Sequence, residues 1–482
     1  MSMLARVTAD PKLPLANPTQ AYWQRVPHAL ARVASPTLPA TTDVAIIGSG
    51  ITGMSAARTI LESGLGVRVS VFEARELCSG ATGRNGGQLA INSAETYEAT
   101  RDLVGPQMAG KMVRFNLRTL EKTREIIQKY NIEDAQLVNV KKLRACLDTM
   151  SWEKIRRGVE VLERDHPSLK GIYEVVDGSA CKEKFGIQGA KGGVLLPAGT
   201  VWPYRLVCSV FQILLDAHGD LLNVETNTPV THISHDPSIS TSHPYQVITP
   251  RGTVRAKHVI HCVNGYTGHL LPNLRGPIFP LTGTMTVQDL GPSGPRQAQT
   301  TSWAIHREPD MGRDGLFHDG LQYLAQNARS NLFFMGGDKI RLAESISAKD
   351  DKICPNSVDF LRSELSTLFG MDKDGSNLIS AWSGVMGFSA DGMPIAGRLP
   401  SRITDRDGDG EWVAAAFNGY GMSSALSVGE AVANWVMGNP VDSSFPEAFM
   451  VTDARLKGSL TTEATMRALD TLVGTGGDQA RL

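Results

Sequence analysis

The chain has 482 residues, 41% of them hydrophobic, and a formal net charge of -1 at pH 7, which is typical of a globular protein with more than one domain. Its 48 Lys and Arg nearly balance 49 Asp and Glu, without a dense basic run, and this argues against a nucleic-acid partner. The six cysteines form no C-x-x-C pair and no histidine cluster has zinc spacing, so we expect reduced thiols, no metal site and an intracellular protein. We find no membrane span and no secretion signal.

The first predicted elements form a βαβ unit. The apolar run at residues 44–47 predicts a buried parallel strand. Apolar residues then recur at helical spacing until Gly64, which is placed to end a helix. Residues 67–74 supply the second strand.

Later elements follow from periodicity and turn residues. Helices are predicted at 107–130, 151–165 and 203–217, and strands at 254–267, 331–342 and 412–417. A glycine turn and a long helix of small residues follow the last strand. Residues 470–482 are polar and glycine-rich, so we expect a mobile tail there.

Three glycines lie where the first strand turns into the first helix. Gly48, Gly50 and Gly53 would let a pyrophosphate lie on the helix N-terminus with no Cβ in its way. Glu73, at the end of the second strand, can accept hydrogen bonds from ribose hydroxyls, and this acidic residue disfavours NADP. The glycines alone could form a tight structural turn, but with strand, helix and acid in register they predict a dinucleotide site.

Six segments bear on the choice between NAD and FAD. They read GSGITG, FEA, GATGRNGGQL, CVNGYTGHLLP, GFSADGMPIAG and NGYGMSSALSVGEAVA. In this order they resemble the D-amino-acid oxidase superfamily of FAD-dependent amine oxidoreductases, and within it the γ-glutamylputrescine oxidase group and its fungal relatives. The resemblance covers roughly residues 20–440. It implies an α/β fold, α+β overall, in which a second, antiparallel-sheet substrate domain covers a Rossmann-type FAD-binding domain built from discontinuous segments.

The resemblance also sets the expected domain boundaries. These are an N-terminal arm at 1–40, an FAD-binding domain at 41–105, 190–275 and 375–450, a substrate domain at 106–189 and 276–374, and a C-terminal tail at 451–482.

Two glycine-rich segments are expected beside the flavin. In the proteins that the chain resembles, the GRNGG loop contacts the cofactor, which makes Arg84 and Asn85 cofactor-side residues; a solvated turn is the alternative. The NGYGM segment precedes a helix, so its N–H groups could stabilise negative charge on the reduced flavin; an ordinary glycine-opened helix is the alternative. The expected cofactor-binding set is Gly48, Gly50, Ile51, Thr52, Gly53, Glu73, Ala74, Arg75, Ala81, Thr82, Arg84, Asn85, Gly86, Gly87, Gln88, Val230, Asn264, Gly265, Trp382, Gly384, Asp391, Gly392, Gly419, Tyr420, Gly421 and Met422.

The expected substrate residues are Trp202, Tyr323 and Trp382, in segments expected to face the open side of the flavin, although aromatic residues serve packing as readily. Lys339 and Tyr420 are the catalytic candidates. Lys339 follows two glycines and could supply the positive charge that promotes reaction with oxygen; a solvated lysine is the alternative.

The resemblance implies FAD-dependent oxidation of a C–N bond in an amine or amino-acid-like substrate. Hydride would pass to flavin N5, the imine would hydrolyse, and O2 would reoxidise the flavin to give H2O2. A dehydrogenase with another electron acceptor and a non-catalytic flavoprotein are the alternatives. Gly384 stands where some relatives attach flavin through cysteine, so we expect non-covalent FAD. Ser423 stands where some carry a carboxylate-binding lysine, so simple α-amino acids should be poor substrates.

The last three residues, Ala480, Arg481 and Leu482, resemble the Ser-Lys-Leu type of address that a peroxisomal import receptor reads. In a eukaryote we therefore expect a peroxisomal protein, because peroxide release suits a compartment with catalase. In a bacterium the same residues would carry no address and the protein would be cytoplasmic.

Overall fold

A computed structural model describes residues 2–91, 94–440 and 442–474. The strands in this part of the chain are β1 (Thr41–Ile47), β2 (Val69–Phe72), β3 (Gln88–Ala90), β4 (Val138–Cys146), β5 (Glu174–Asp177), β6 (Gly192–Thr200), β7 (Leu222–Glu225), β8 (His232–His235), β9 (Tyr245–Thr249), β10 (Gly252–His261), β11 (Ile278–Asp289), β12 (Thr301–His306), β13 (Asp310–Met311), β14 (Phe317–His318), β15 (Leu321–Gln326), β16 (Phe333–Gly336), β17 (Lys339–Ile340), β18 (Asn377–Ser389), β19 (Ile395–Arg398) and β20 (Glu411–Ala415). The α-helices are α1 (Met3–Val7), α2 (Ile51–Glu62), α3 (Tyr97–Val104), α4 (Pro106–Lys129), α5 (Thr149–Asp165), α6 (Gly178–Phe185), α7 (Pro203–His218), α8 (Thr267–Leu270), α9 (Leu342–Ser345), α10 (Pro355–Leu368), α11 (Ser401–Thr404), α12 (Ala425–Val436), α13 (Asp453–Lys457) and α14 (Thr462–Gly474).

The first sheet has the order β19-β20-β10-β1-β2-β7, with β9 paired to β10 and β8 to β9. Strands β1, β2, β7, β10 and β20 run parallel. All four residues of β2 are buried, as expected for a parallel sheet covered on both faces. The predicted βαβ unit is confirmed as β1-α2-β2. Helix α12 crosses α2 closely, since a Cβ on Gly429 would lie 2.4 Å from the Thr52 carbonyl oxygen.

The second sheet has the order β18-β11-β16-β15-β12-β4-β6-β3, with β5 added to β6. Its neighbours are antiparallel except for β12 and β4, which run parallel. A small third sheet pairs β14 with β13 and β17. The predicted mixed fold, a parallel sheet of nucleotide-binding type beside a largely antiparallel sheet, is confirmed.

Three strands from segments assigned to the FAD-binding domain pair in the second sheet. Strands β6 and β18 lie in segments assigned to the FAD-binding domain, yet they belong to the second sheet, where β6 pairs with β4 and β18 with β11. Strand β3 also pairs there, with β6. Such partners are far apart in sequence, so local periodicity does not reveal them. The three predicted helices are confirmed as α4, α5 and α7.

The two chain ends are more ordered than predicted. Trp23, in the expected N-terminal arm, is buried and stacks on Phe334 with ring centroids 3.9 Å apart. The expected C-terminal tail contains α13 and α14, and Leu469 of α14 is buried in a cluster with Phe279. These apolar contacts explain why both ends fold onto the body. The suggested peroxisomal address, Ala480 to Leu482, lies outside the described residues and stays a prediction. Among the described helices, none combines the length and apolar character needed to cross a membrane.

Candidate functional site

A cavity of about 1410 Å³ is bounded by residues from both large sheets. One wall is formed by the segments that follow the carboxyl ends of β1, β2 and β10, which is where open α/β sheets bind ligands. The other wall is a face of the second sheet. Pockets for one drug-sized molecule measure roughly 300–1,000 Å³, so this cavity has room for a dinucleotide and a second small molecule.

The turn after β1 forms a cradle at the start of α2. Gly48 has φ +104, and a Cβ there would lie 2.5 Å from the Cys262 carbonyl oxygen. A Cβ on Gly53 would lie 2.0 Å from the Gly48 carbonyl oxygen, so only glycine brings the helix this close to the turn. Gly50 caps α2, and the first N–H groups of a helix lack intrahelical acceptors. This cradle fits a pyrophosphate.

Glu73 is a buried carboxylate at the end of β2. Its Oε2 accepts hydrogen bonds from the Ser49 N–H at 3.2 Å and the Ser49 hydroxyl at 2.7 Å, and its Oε1 accepts from the Arg75 N–H at 3.0 Å. These bonds fix the carboxylate at the cavity wall. Because a carboxylate offers about four acceptor positions, capacity is left for a ribose hydroxyl.

The GRNGG loop lies on the cavity wall through Arg84, Asn85 and Gly86. The Arg84 Nε donates to the Ser383 carbonyl at 2.8 Å and its Nη2 to the Thr19 hydroxyl at 2.8 Å. The Asn85 amide donates to the Thr82 carbonyl and its oxygen accepts from the Gly87 N–H. Burial lowers the pKa of Arg84 to about 10, which leaves it charged at neutral pH. These hydrogen bonds hold the loop in place, and because Arg84 and Asn85 both lie on the cavity wall, their contact with the cofactor stays a prediction.

Arg75 lies on the wall, but its guanidinium is bound within the protein. Its Nη1 donates to the buried Asp350 carboxylate at 2.9 Å, and its Nε donates to the Ser79 hydroxyl at 3.1 Å. Asp350 also lies 3.6 Å from the Arg84 Nε. Arg75 thus stabilises the part of the cavity wall that lies next to the GRNGG loop.

The NGYGM segment ends in a short helical turn. Residues Gly421–Ser423 form a 3-10 turn immediately before α12, and both Tyr420 and Gly421 lie on the cavity wall. The Ser423 hydroxyl donates to the Tyr420 carbonyl at 2.9 Å. The first N–H groups of such a turn can face a negative charge.

Five residues in register cross the face of the second sheet. They are Met285, Gly336, Tyr323, Ala304 and Arg144. A Cβ on Gly336 would lie 2.3 Å from the Tyr323 Cζ, so this glycine makes room for the phenol ring. Burial raises the pKa of Tyr323 above its ordinary value, and the hydroxyl stays protonated. Tyr323 is the predicted substrate residue that lies on the wall.

Charged residues on the same wall escaped the sequence analysis. Asp338 follows β16, Asp319 follows β14, and Lys142 and Arg144 project from β4. Burial, reinforced by the nearby charge of Asp319, raises the pKa of the part-buried Asp338 to about 7, whereas the Asp319 side chain is exposed. Lys142 and Arg144 lie two residues apart on β4 and therefore on one face of that strand, and this spacing is a signal that could identify them.

Two predicted substrate residues and one catalytic candidate do not line the cavity. Trp202 donates from Nε1 to the Trp23 carbonyl at 3.0 Å and packs among aromatic rings. Trp382 is buried under the GRNGG loop and donates to the Arg84 carbonyl at 2.8 Å. Lys339 lies on β17, which pairs away from the second sheet, and its ammonium is 3.0 Å from Asp314. Side-chain packing accounts for the positions of Trp202 and Trp382 away from the cavity, and the ion pair with Asp314 accounts for that of Lys339.

Most of the predicted cofactor set comes together at the cavity. Gly53 and Gly87 lie behind its wall, where they permit close backbone packing. The Asp391 carboxylate is on the wall but accepts hydrogen bonds from Arg455. Further predicted residues on the wall are Ile51, Thr52, Ala74, Ala81, Thr82, Gly86, Gln88, Val230, Asn264, Gly265, Gly384, Gly392, Gly419 and Met422.

Comparisons with known proteins match this geometry. The family model described as FAD dependent oxidoreductase matches residues 43–435. The chain is 24% identical to the γ-glutamylputrescine oxidoreductase of Escherichia coli (strain K12) over 416 residues, which are 83% of this chain and 84% of that protein. It is 22% identical to the probable oxidoreductase OrdL of Haemophilus influenzae over 416 residues, 85% of this chain and 86% of that protein.

Solved structures share the fold. Glycine oxidase from Geobacillus kaustophilus has a TM-score of 0.66 at 18% identity, covering 86% of this chain and 99% of that one. L-proline dehydrogenase from P. horikoshii has a TM-score of 0.62 at 17% identity, covering 86% and 97%. At such identities the likeness concerns the fold alone. The family match over most of the chain, together with the glycine cradle, shows that this protein belongs to the FAD-dependent oxidoreductases of the D-amino-acid oxidase type.

Proposed function

We propose that the enzyme oxidises a C–N bond of an amine or amino-acid-like substrate with non-covalently bound FAD, and that O2 accepts the electrons. The observation that supports the proposal most is one continuous cavity, which extends from the cradle at Gly48 to the second-sheet wall at Tyr323. Bound FAD would supply the redox chemistry, which is two-electron oxidation of the substrate C–N bond and reduction of O2 to H2O2, and the imine product would hydrolyse in water.

The chain's own groups have separate tasks in this proposal. Gly48 and the start of α2 receive the pyrophosphate, and Glu73 accepts hydrogen bonds from the ribose. The N–H groups at the start of the helical turn at Gly421 would stabilise negative charge on the reduced cofactor. The protonated Tyr323 hydroxyl can donate a hydrogen bond to a substrate.

Non-covalent attachment is supported by the residues on the wall. Gly384 offers no side chain for a bond to the cofactor. Among the described residues the wall includes one cysteine, Cys262, and burial raises the pKa of its thiol, which keeps it protonated and weakly nucleophilic. Acid precipitation should release all of the yellow colour into the supernatant; colour on the pellet would contradict this assignment.

Anaerobic titration with a panel of amines and amino acids tests the reaction. We expect an amine to bleach the oxidised flavin absorbance and air to restore it with release of one H2O2 per flavin. Reduction without reoxidation by air would identify a dehydrogenase. Failure of every amine would leave a non-catalytic flavoprotein.

A cofactor-binding control accompanies this titration. Glu73→Gln should lower the FAD content of the purified protein, because the amide has one acceptor oxygen, whereas the carboxylate accepts from Ser49 and from the Arg75 N–H with different oxygens. Glu76→Gln, at a more exposed acid paired with Arg32, should retain it. Equal FAD content in both variants would remove Glu73 from the binding site.

A further inference from the structure

Amine oxidation as proposed above leaves Asp338 without a task. Its Oδ2 accepts a hydrogen bond from the Thr284 N–H at 3.2 Å, and its Oδ1 accepts one from the Ser357 hydroxyl at 3.0 Å. These bonds come from β11 and α10, so two elements hold the carboxylate in place. Neither Asp338 nor Asp319, on the same wall, forms an ion pair with any residue that the structure describes.

The position of Asp338 is on the substrate side of the cavity. It lies two residues beyond Gly336 and beside Gly283. A Cβ on Gly283 would be 3.4 Å from the Asp338 Oδ2 and 2.9 Å from the Met386 methyl group. Met386 in turn borders Gly419 of the NGYGM segment, since a Cβ there would lie 3.8 Å from its sulfur. The carboxylate is therefore close to the cofactor segments without contacting them.

The surroundings favour a positive charge at this point. The rings of Tyr323 and Phe317 share the wall, and aromatic faces attract cations. Ionising Asp338 is unfavourable, because its partial burial and the nearby charge of Asp319 together raise its pKa to about 7. A bound cation would remove that penalty and restore the ionised form.

We propose that Asp338, assisted by Asp319, binds a second, non-reacting cationic nitrogen of the substrate. This inference rests on the proposed amine oxidation and names its substrate class as diamines, or amines that carry a distal ammonium group. A carboxylate paired with the reacting nitrogen would favour its protonated form, and a protonated amine is a poor hydride donor. Asp338 is therefore suited to a nitrogen that stays charged throughout the reaction.

A matched pair of substrates tests the inference with the FAD-loaded enzyme. The pair is 1,4-diaminobutane and 1-aminopentane, in which a methyl group replaces the distal ammonium. For wild type we expect kcat/KM for flavin reduction to be about 100-fold higher with the diamine, because a polar site on the cavity wall disfavours a ligand that leaves its carboxylates unpaired. Asp338→Asn should lower the diamine value about 100-fold and leave the monoamine value within about threefold.

The control variant is Asp314→Asn, which removes an exposed acid paired with Lys339 and should preserve the preference. Equal rates with both amines in wild type, or an unchanged preference in Asp338→Asn, would overturn the inference.

A binding measurement separates this inference from the proposed reaction. Butyltrimethylammonium carries a permanent charge, and its perturbation of the flavin spectrum gives a Kd without turnover. We expect Asp338→Asn to weaken that binding at least tenfold and Asp314→Asn to leave it unchanged. If no amine reduces the flavin but this difference holds, the reaction is wrong and the cation site stands. If amines reduce the flavin and the Kd is the same in both variants, the cation site is wrong.

Discussion

At the scale of single residues, the cavity wall depends on positions where a side chain is missing. Gly336 is the clearest case, since its Cα faces the Tyr323 ring and the Met285 sulfur across neighbouring strands. Tyr323, the proposed substrate residue, can take this position because Gly336 on the neighbouring strand has no Cβ.

Gly336→Ala should displace Tyr323, because the new Cβ would lie 2.3 Å from its Cζ and 2.5 Å from the Met285 sulfur. We expect about 1–3 kcal/mol lower stability, as for other overpacked sites, and roughly tenfold lower kcat/KM with unchanged FAD content. Urea unfolding and steady-state kinetics measure both. In a Tyr323→Ala background the same substitution should cost less stability; full additivity would show that the ring is not the obstacle.

Lys339 provides a second residue-scale prediction. Its ammonium pairs with Asp314, in the turn between β13 and β14, and Lys339 does not line the cavity. Lys339→Met should therefore leave both anaerobic reduction and reoxidation by O2 within about twofold of wild type, as stopped-flow absorbance will show. A selective slowing of reoxidation would return this lysine to the list of oxygen-activating groups.

At the scale of elements, α13 is fastened to the turn before β19 by one buried ion pair. Arg455 donates from Nε and Nη2 to both Asp391 oxygens at 2.8 and 2.9 Å, and from Nη1 to the Pro394 carbonyl at 2.8 Å. Burial alone would raise the pKa of Asp391, but Arg455 outweighs it and lowers that pKa. The C-terminal segment thereby reaches a loop on the cavity wall.

Arg455→Met should leave the Asp391 carboxylate buried and unpaired, which costs about 3–5 kcal/mol in comparable sites. We expect a lower free energy of unfolding and weaker FAD retention, measured by urea titration and by flavin release. Arg402→Met removes an exposed pair with Asp453 of the same helix and serves as control. If both variants lost the same free energy of unfolding, the buried Arg455–Asp391 pair would contribute no more to stability than the exposed pair.

At the scale of the whole molecule, buried carboxylates make stability depend on pH. Glu411, on β20, is buried with its Oε2 2.7 Å from the Arg406 Nη2 and 3.0 Å from the His261 Nε2 on β10. Burial by itself raises the pKa of Glu411, yet these bonds outweigh it and lower that pKa to about 2. Because the folded-state pKa is depressed, the contribution is complete above about pH 4.5 and is lost as the pH falls toward 2.

The difference in unfolding free energy between wild type and Glu411→Gln should therefore shrink at low pH. Between pH 6 and pH 3 we expect it to narrow by about 2 kcal/mol, since each pKa unit corresponds to about 1.4 kcal/mol. Equilibrium urea unfolding at the two pH values measures this. Glu121→Gln, at an exposed acid of α4, should show no such narrowing; a constant difference for Glu411→Gln would mean that its pKa is not depressed.

Another buried ionic cluster, centred on Asp350, joins distant parts of the chain. Asp350 lies beside both Arg75 and Arg84, while the Thr19 hydroxyl accepts from Arg84. These four residues come from three stretches of sequence and hold the GRNGG loop between the two sheets. Nothing in their local sequence patterns indicates that they meet.

The sequence by itself determined the βαβ unit, the glycine cradle and the acid at Glu73, because strand, turn and helix are local and their spacing is fixed by backbone geometry. Motif order was enough to indicate the cofactor and the family. Only the tertiary structure decided which side chains face the cavity, since facing depends on pairing between strands far apart along the chain. In the folded protein, Tyr323 and Asp338 lie on the cavity wall. Trp382 lies beneath the GRNGG loop, and Lys339 forms an ion pair with Asp314. Those outcomes follow from sheet register and packing, which no short stretch of residues encodes.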